Sequence, residues 1–401
     1  MTNPSSSFDV AVIGGGAIGL SIAWRAAQRG LRVVVLERDQ PGRGASWVAA
    51  GMLAPATEAT LAERAVLDLG LASARAYPAF VEELQGVSGI DPGYRPWGML
   101  VVARDRDEAE ALERELTMRR ELGLRVERLR PSQARALVPA LAPSVRLALD
   151  VAGDHAIDPR RLTAALLEAA RRAGATVRTG ARVDAILTVG GAVAGVRLSN
   201  GERLAAEQVV IAAGAWTEAL EGVPGEARVP IHPVKGQILR LHDPAGPGLL
   251  DRVVRMSVGY LVPRGDGRYV LGATVEERGF DTTVTAGAMF ELLRSAGEVI
   301  PGVLELVIDE FIAGLRPATP DNGPAIGPGA LPGLHWAVGH YRNGILLTPI
   351  TAELVLAGLT GAGTEGTGEA DPDPVVSLTE LAARFSPARF TAAAPVEVAL
   401  R

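Results

Sequence analysis

Apolar and polar positions along the chain repeat with two different rhythms, and the changes of rhythm divide it into elements. Residues 9–13, apolar from Val10 onward, predict a buried parallel strand. Residues 17–28 carry apolar side chains at helical spacing and stop at Gly30, a residue suited to the left-handed turn that ends a helix. Residues 32–36 are a second, β-branched strand with Glu37 at its end. Residues 41–58 are small and apolar without a period, so they read as a buried loop. Helical spacing returns at about 60–86 and 105–122, with a strand at 98–103 between them. Asp158 and Pro159 supply an N-cap and a first helical residue for a helix running to about 172. Short alternating strands follow at 176–178, 182–187 and 193–198, then a reversal at Asn200-Gly201 and an apolar strand at 208–213. From about 225 to 315 the pattern is β-rich around one helix near 286–298. A strand at 334–338 and a helix from about 345 complete the ordered pattern. Residues before 8 read as a disordered tail, and those from 362 begin as a mobile, acidic, glycine-rich surface segment.

The turn between the first strand and helix is Gly14-Gly15-Gly16-Ala17-Ile18-Gly19, a G-x-G-x-x-G sequence. Gly14 permits a tight strand-to-helix turn, Gly16 lets a pyrophosphate approach the backbone, and Gly19 allows close packing of helix on sheet. The free N–H groups of the helix start favour phosphate. Glu37 can accept hydrogen bonds from an adenosine ribose, and its charge disfavours the 2′-phosphate of NADP. Strand, glycine turn, helix, strand and terminal acid together predict a dinucleotide site. They do not separate a nicotinamide enzyme from a flavoprotein.

Composition narrows the field. With 401 residues there is room for two domains or one large elaborated one. A net charge of −6 leaves no basic footprint for nucleic acid. Cys is absent, which removes disulfides, thiolate nucleophiles and a cysteinyl link to a flavin, and which fits a cytoplasmic protein. Lys235 is the single lysine. No run is long enough for a membrane span, and residues before the apolar stretch at 10–24 lack the positive charge of a signal peptide. His155, His232, His242 and His335 share no metal-ligand spacing, and Glu58 and Glu276 read as solvated or paired acids. The small residues of Ala213-Gly214-Ala215-Trp216 again permit close approach to the backbone.

Three further blocks favour a flavoprotein: GASWVAAGMLAP, VVIAAGAW, and the pair GLRPATPDNGPAIGP with VGHYRNGILLTP. Together they resemble the D-amino-acid oxidase superfamily of FAD oxidoreductases and, within it, the glycine oxidases of thiamine biosynthesis. The resemblance runs from residue 8 to about 360. It implies an α/β fold, with a Rossmann-like FAD-binding domain of glutathione-reductase type interleaved with a substrate domain built on an antiparallel sheet. The FAD-binding pieces would be 8–85, 151–222 and 316–360, the substrate-domain pieces 86–150 and 223–315, and 361–401 a C-terminal tail. It further implies that FAD is held without a covalent bond, the ADP half by Ala17, Ile18, Glu37 and Arg38. Ala45, Ser46, Ala50, Gly51 and Met52 match a loop on the pyrophosphate and flavin. Val183 matches the position whose backbone pairs with adenine. His340, Tyr341, Arg342, Asn343, Gly344, Ile345 and Leu346 match the loop that leads to a helix start facing the flavin O2 edge.

On the substrate side, Arg316 matches the family arginine that clamps an amino-acid carboxylate, Tyr260 the tyrosine that reaches the same carboxylate, and Arg342 a second arginine near the substrate. The implied reaction is oxidative deamination of glycine or another small amine by dioxygen, in a homotetramer that feeds thiazole synthesis. A D-amino-acid or N-methylglycine oxidase or dehydrogenase, and a non-catalytic FAD-binding subunit, are the alternatives. Val258 and Val275 stand where the family often has a polar residue and methionine. Both are expected at the substrate pocket, where they bear on substrate preference.

Overall fold

The computed structural model describes residues 7–361 and 376–391. The tail expected before residue 8 and the segment from 362 therefore fall largely outside the described residues. Two eight-stranded sheets organise the rest.

The first sheet orders its strands Ala325–Pro328, Leu334–Val338, Arg203–Ile211, Phe8–Ile13, Val33–Leu36, Thr176–Arg178. All neighbours in this row are parallel except the first pair. A hairpin, Val183–Val189 and Ala192–Leu198, continues from Arg203–Ile211. Residues 10–13 are apolar at every position because the sheet is covered on both faces. Val10, Val12, Val33 and Val35 pack with the helices Ala17–Gln28, Arg64–Ser88, Pro159–Arg172 and Thr348–Thr360, whereas Ala11, Ile13, Val34 and Leu36 pack on the opposite side. Leu20 and Ile22 are wholly enclosed between helix and sheet, each worth about 1.5–3 kcal/mol.

The second sheet orders its strands Val307–Ala318, His232–His242, Arg268–Gly272, Tyr260–Pro263, Val253–Arg255, Met99–Ala103, Leu147–Val151, Glu127–Leu129. It is antiparallel apart from one parallel pair, Val253–Arg255 with Met99–Ala103. The helix Ala286–Val299 covers one face through Leu292, Ala296 and Val299. The other face packs on Val48, Ala50, Ala54 and Ala56. The aperiodic loop at 41–58 is thus buried between the two sheets, with a short helix Ala45–Val48 and a strand Met52–Leu53 paired to His155–Ala156. Because segments of the second sheet lie between segments of the first along the chain, the two layers interleave.

Among the boundaries that differ from the sequence pattern, three are informative. The strand expected at 208–213 starts at Arg203, because the reversal at Asn200-Gly201 leads directly into it, and 214–219 coil into a 3₁₀ turn. The helix expected from 345 starts at Thr348, with Pro349 in its first turn. Within the expected C-terminal tail, the helices Leu378–Arg384 and Ala388–Thr391 return to the body of the fold. Leu381 and Phe385 are buried in its core, and Arg389 pairs with Asp321.

Candidate active site

A cavity of about 830 Å³ opens between the two sheets, near the upper end of the size range of small-molecule sites. At one end lies the glycine turn. Gly14 has φ +107°, and a Cβ there would sit 2.4 Å from the Ala212 carbonyl oxygen. A Cβ on Gly19 would sit 2.0 Å from the Gly14 carbonyl oxygen. Both positions therefore require glycine: one for the turn, the other for the tight return of the helix. The helix Ala17–Gln28 opens at Gly16 without a side-chain cap or an acid in its first turn. Ser46 Oγ approaches from the buried loop and accepts from Ala17 N at 3.1 Å. Glu37 accepts from Gly15 N at 2.7 Å and Asp39 N at 2.9 Å, which fixes the carboxylate at the strand end with lone pairs to spare. Arg38 stacks 4.3 Å above the Trp216 ring. A helix start whose own N-cap residue is a glycine, with Ser46 beside it, glycines where a Cβ would collide and an anchored terminal acid fit a dinucleotide cofactor.

The other end is built on the second sheet. Arg316, on the strand Val307–Ala318, lays its guanidinium over Gly236 of the neighbouring strand; a Cβ on Gly236 would fall 2.4 Å from both terminal nitrogens. Nη1 of Arg316 donates to the carbonyls of Lys235 at 3.2 Å and Thr274 at 3.1 Å. Among the described residues, none of the ion pairs involves Arg316. Tyr260 lies beside it on the same face. Burial raises the Tyr260 phenol above its ordinary pKa, against the pull of Arg316 and Arg255. Arg255 is the cross-strand neighbour of Tyr260 in the hairpin that turns at Gly259.

The support of Arg316 is itself tied down. Gln237, fully buried, donates its backbone N–H to Thr274 Oγ1 at 2.9 Å and its side-chain Nε2 to Glu276 at 2.7 Å. Its side-chain oxygen accepts from Thr285 N at 2.8 Å. Lys235 is 1% exposed and bonds Asp281 at 2.8 Å. The segment 274–285 is thereby pinned to the strand His232–His242.

Charge at the substrate end runs in a chain. Arg255 pairs with Glu58, Glu58 with Arg342 at 3.1 Å, and Arg342 with Glu63. Asn322 Nδ2 also donates to Glu63 at 2.9 Å. The backbone leading to Glu58 is clamped from two sides. Asp154 accepts from Ala56 N at 3.1 Å and Thr57 N at 2.7 Å, and buried Arg119 donates to the carbonyls of the same two residues. Burial pushes the Asp154 carboxyl up to about 6. His340, also buried, is pushed down to about 3 and bonds Thr351 Oγ1 at 3.0 Å. It therefore brings no positive charge to the cavity.

Most residues singled out in the sequence line this one cavity: Gly14, Gly16, Ala17, Ile18, Glu37, Arg38, Ala45, Ser46, Ala50, Gly51, Met52, Val183, Gly214, Tyr260, Arg316 and His340 to Ile345. Val258 and Val275 line it as well. Gly19 and Leu346 do not. Gly19 faces the Gly14 carbonyl, and Leu346 is buried against Gly70 of the helix Arg64–Ser88. Tyr341 has φ +46°, uncommon for a side chain of that size, in the turn at the cavity wall. Sequence reasoning missed Arg255 and the space that Gly236 leaves. The signal for Arg255 was present, since a hairpin closing at Gly259 sets it opposite Tyr260. Glu58, read as solvated or paired, is paired.

Residues 9–357 match the model of a family described as FAD dependent oxidoreductase. Glycine oxidase of Geobacillus kaustophilus is 36% identical over 350 residues, covering 87% of this chain and 92% of that protein. Its crystal structure superposes with a TM-score of 0.84 over 93% of this chain and 99% of that one. The bifunctional protein ThiO/ThiG of Synechocystis is 38% identical over 352 residues, covering 86% of this chain, which spans about half (51%) of that longer protein. Iminodiacetate oxidase of Chelativorans, 30% identical, superposes with a TM-score of 0.79 over 92% of this chain and 98% of that one. Among the described residues no helix is long and apolar enough to cross a membrane.

Proposed function

The chain belongs to this family of FAD-dependent oxidoreductases, and we propose that it oxidises small amino acids, glycine first, to their imines. One observation carries the reading: Arg316 is a guanidinium in the cavity, aimed by two carbonyls and paired with no acid among the described residues. A planar guanidinium binds a carboxylate through two parallel hydrogen bonds, so an amino acid completes what the protein leaves open.

Glu37 would hold the adenosine ribose, the Gly14–Gly19 turn and helix start the pyrophosphate, and the backbone of Val183 the adenine. With no cysteine in the chain, the flavin is held without a thioether. When bound, FAD supplies an acceptor for the electron pair of the substrate Cα–H bond and passes it to dioxygen, giving hydrogen peroxide. The protein's part is placement. Arg316 and the Tyr260 hydroxyl anchor the carboxylate, which fixes the direction of Cα. The neutral amine lone pair assists departure of the Cα hydrogen, so no protein base is required. His340, kept neutral by burial, does not compete with Arg316 for the carboxylate. The imine hydrolyses to glyoxylate and ammonia, or passes on to thiazole assembly for thiamine, in line with the resemblance set out above.

The test is peroxide formation by the purified yellow protein with glycine, sarcosine and D-alanine. Bleaching of the flavin by any of these in the absence of oxygen dismisses a non-catalytic subunit, and bleaching that yields no peroxide when air is readmitted identifies an enzyme with another acceptor. A flavin that none of them reduces overturns the reading in favour of a non-catalytic subunit.

A further inference from the structure

The charged chain behind the substrate end has a direction. Glu63 is its outer end, and Glu58 and Arg342 satisfy one another inside it. Arg255 is its inner end, with Glu58 as its single carboxylate partner among the described residues. Of the five N–H donors of a guanidinium, one terminal nitrogen of Arg255 is engaged by Glu58. The side chain remains one-third exposed, and it lines the cavity. Burial of much of the side chain holds Arg255 below the ordinary guanidinium range. Arg255 and Arg316 both act on the Tyr260 phenol. The cavity thus presents two guanidiniums beside one tyrosine: Arg316, with no carboxylate partner among the described residues, and Arg255, which Glu58 engages through one nitrogen only. Glycine has one carboxylate and leaves the remaining donors of Arg255 without a substrate partner.

We propose that Arg255 is a specificity-determining residue and that the site also accepts amines bearing two carboxylates, the second being received by Arg255. This rests on the reading of Arg316 as the anchor of the first. The second carboxylate can arrive on the side chain, as in D-aspartate, or through the nitrogen, as in iminodiacetate. For the latter the overall change is iminodiacetate plus dioxygen plus water to glycine, glyoxylate and hydrogen peroxide. One Cα–H bond and the N–H bond break, a C=N bond forms and is hydrolysed, and dioxygen takes up the two electrons and two protons.

Two substrate pairs isolate the added carboxylate: D-aspartate with D-alanine, and iminodiacetate with sarcosine. In the FAD-loaded wild type, at least one acid should match or exceed its methyl partner in kcat/KM, and the two pairs show by which route the carboxylate arrives. Arg255→Gln should lower the acid-to-methyl ratio at least tenfold, with Arg255→Lys in between. Glu58→Gln, which removes a competing negative charge from Arg255, should raise that ratio. A ratio that Arg255→Gln leaves unmoved, including equal losses on both substrates, overturns the proposal and makes Arg255 a structural partner of Glu58. Turnover of the methyl substrates with none of either acid overturns it too, while leaving the glycine reading standing. Calorimetric binding of oxydiacetate against methoxyacetate, neither of which carries an amine, decides the matter even if no amine is oxidised. Oxydiacetate should bind at least tenfold tighter to wild type, an advantage lost in Arg255→Gln; equal binding refutes the second-carboxylate site.

Discussion

Gly236 and Arg316 share one volume. The guanidinium of Arg316 lies where the first side-chain atom of any other residue at 236 would have to be, 2.4 Å from its two terminal nitrogens. The glycine is a vacancy cut for the arginine, and it sits on the adjacent strand rather than nearby in sequence.

Gly236→Ala should therefore act as an Arg316 variant at one remove. The methyl group would push the guanidinium off the Lys235 and Thr274 carbonyls, and kcat/KM for glycine should fall at least about tenfold, or 1.36 kcal/mol. FAD content should stay normal. Steady-state rates measured beside the FAD-to-protein ratio check this; an unchanged rate means that Arg316 has another way to reach the substrate.

Replacing the arginine itself separates charge from shape. Arg316→Lys keeps the charge and loses the two-point geometry, whereas Arg316→Ala loses both. Truncating one partner of a buried charged pair costs roughly 2–5 kcal/mol, so kcat/KM for glycine should fall by at least about tenfold in the first variant and further in the second. An amine without a carboxylate should be nearly indifferent to either change. Wild-type rates on glycine would remove Arg316 from the site.

The clamp on the loop before Glu58 has a pH signature. Asp154 has its carboxyl raised to about 6 from 3.8 by burial. Between those values the folded state binds more protons than the unfolded state, so this group's contribution is fully present below pH 3.8 and declines as pH rises through about 6. The decline amounts to about 3 kcal/mol at 1.36 kcal/mol per unit. Denaturant unfolding at pH 4 and pH 7 should show wild type losing ground to Asp154→Asn by an amount of this order. A difference between the two proteins that does not vary with pH would mean that Asp154 is not raised.

Acid precipitation should leave the yellow colour in the supernatant, and mass spectrometry should identify it as FAD. Colour retained by the pellet would reveal a covalent bond through a residue other than cysteine.

Substrate choice among small amines should be loose. A pocket separates one methylene by only about 1–3 kcal/mol, and Val258 and Val275, both on the cavity wall, offer no polar group that enforces glycine alone. Peroxide from glycine, sarcosine and D-alanine should lie within a few orders of magnitude. L-Leucine should fail, because anchoring its carboxylate turns the side chain or the wrong hydrogen toward the flavin; its efficient turnover would contradict that geometry.

What could be read from the sequence was what is local. The bounds of the helix Ala17–Gln28 follow from its apolar period and the glycines around it, and the observed bounds coincide with those expected. The start of the helix Pro159–Arg172 follows from Asp158, whose side chain accepts from Arg160 N and Arg161 N. Arg316 and Tyr260 came from family motifs, and the structure brings them side by side. What stayed hidden depends on strand register and on distant partners. Gly236 looks like any other glycine until the strand Val307–Ala318 is laid beside it. Glu58 reads as a solvated or paired acid, and its partners stay unnamed until Arg255 and Arg342, from two distant segments, converge on it. The helices at 378–391 were obscured by the polar stretch before them, and the burial of Leu381 and Phe385, with the Arg389–Asp321 pair, shows that the chain comes back.

The burial of Lys235 has a practical side. It is the single lysine of 401 residues, and it is 1% exposed with its ammonium on Asp281. Reagents that attach dyes, cross-linkers or solid supports to lysine find no accessible side chain on the folded protein. Modification of that amine requires the segment 274–285 to lift from the strand beneath it. Acylation of Lys235 would thus be a clock for that opening, readable by mass at one side-chain position and told from α-amine labelling by peptide mapping.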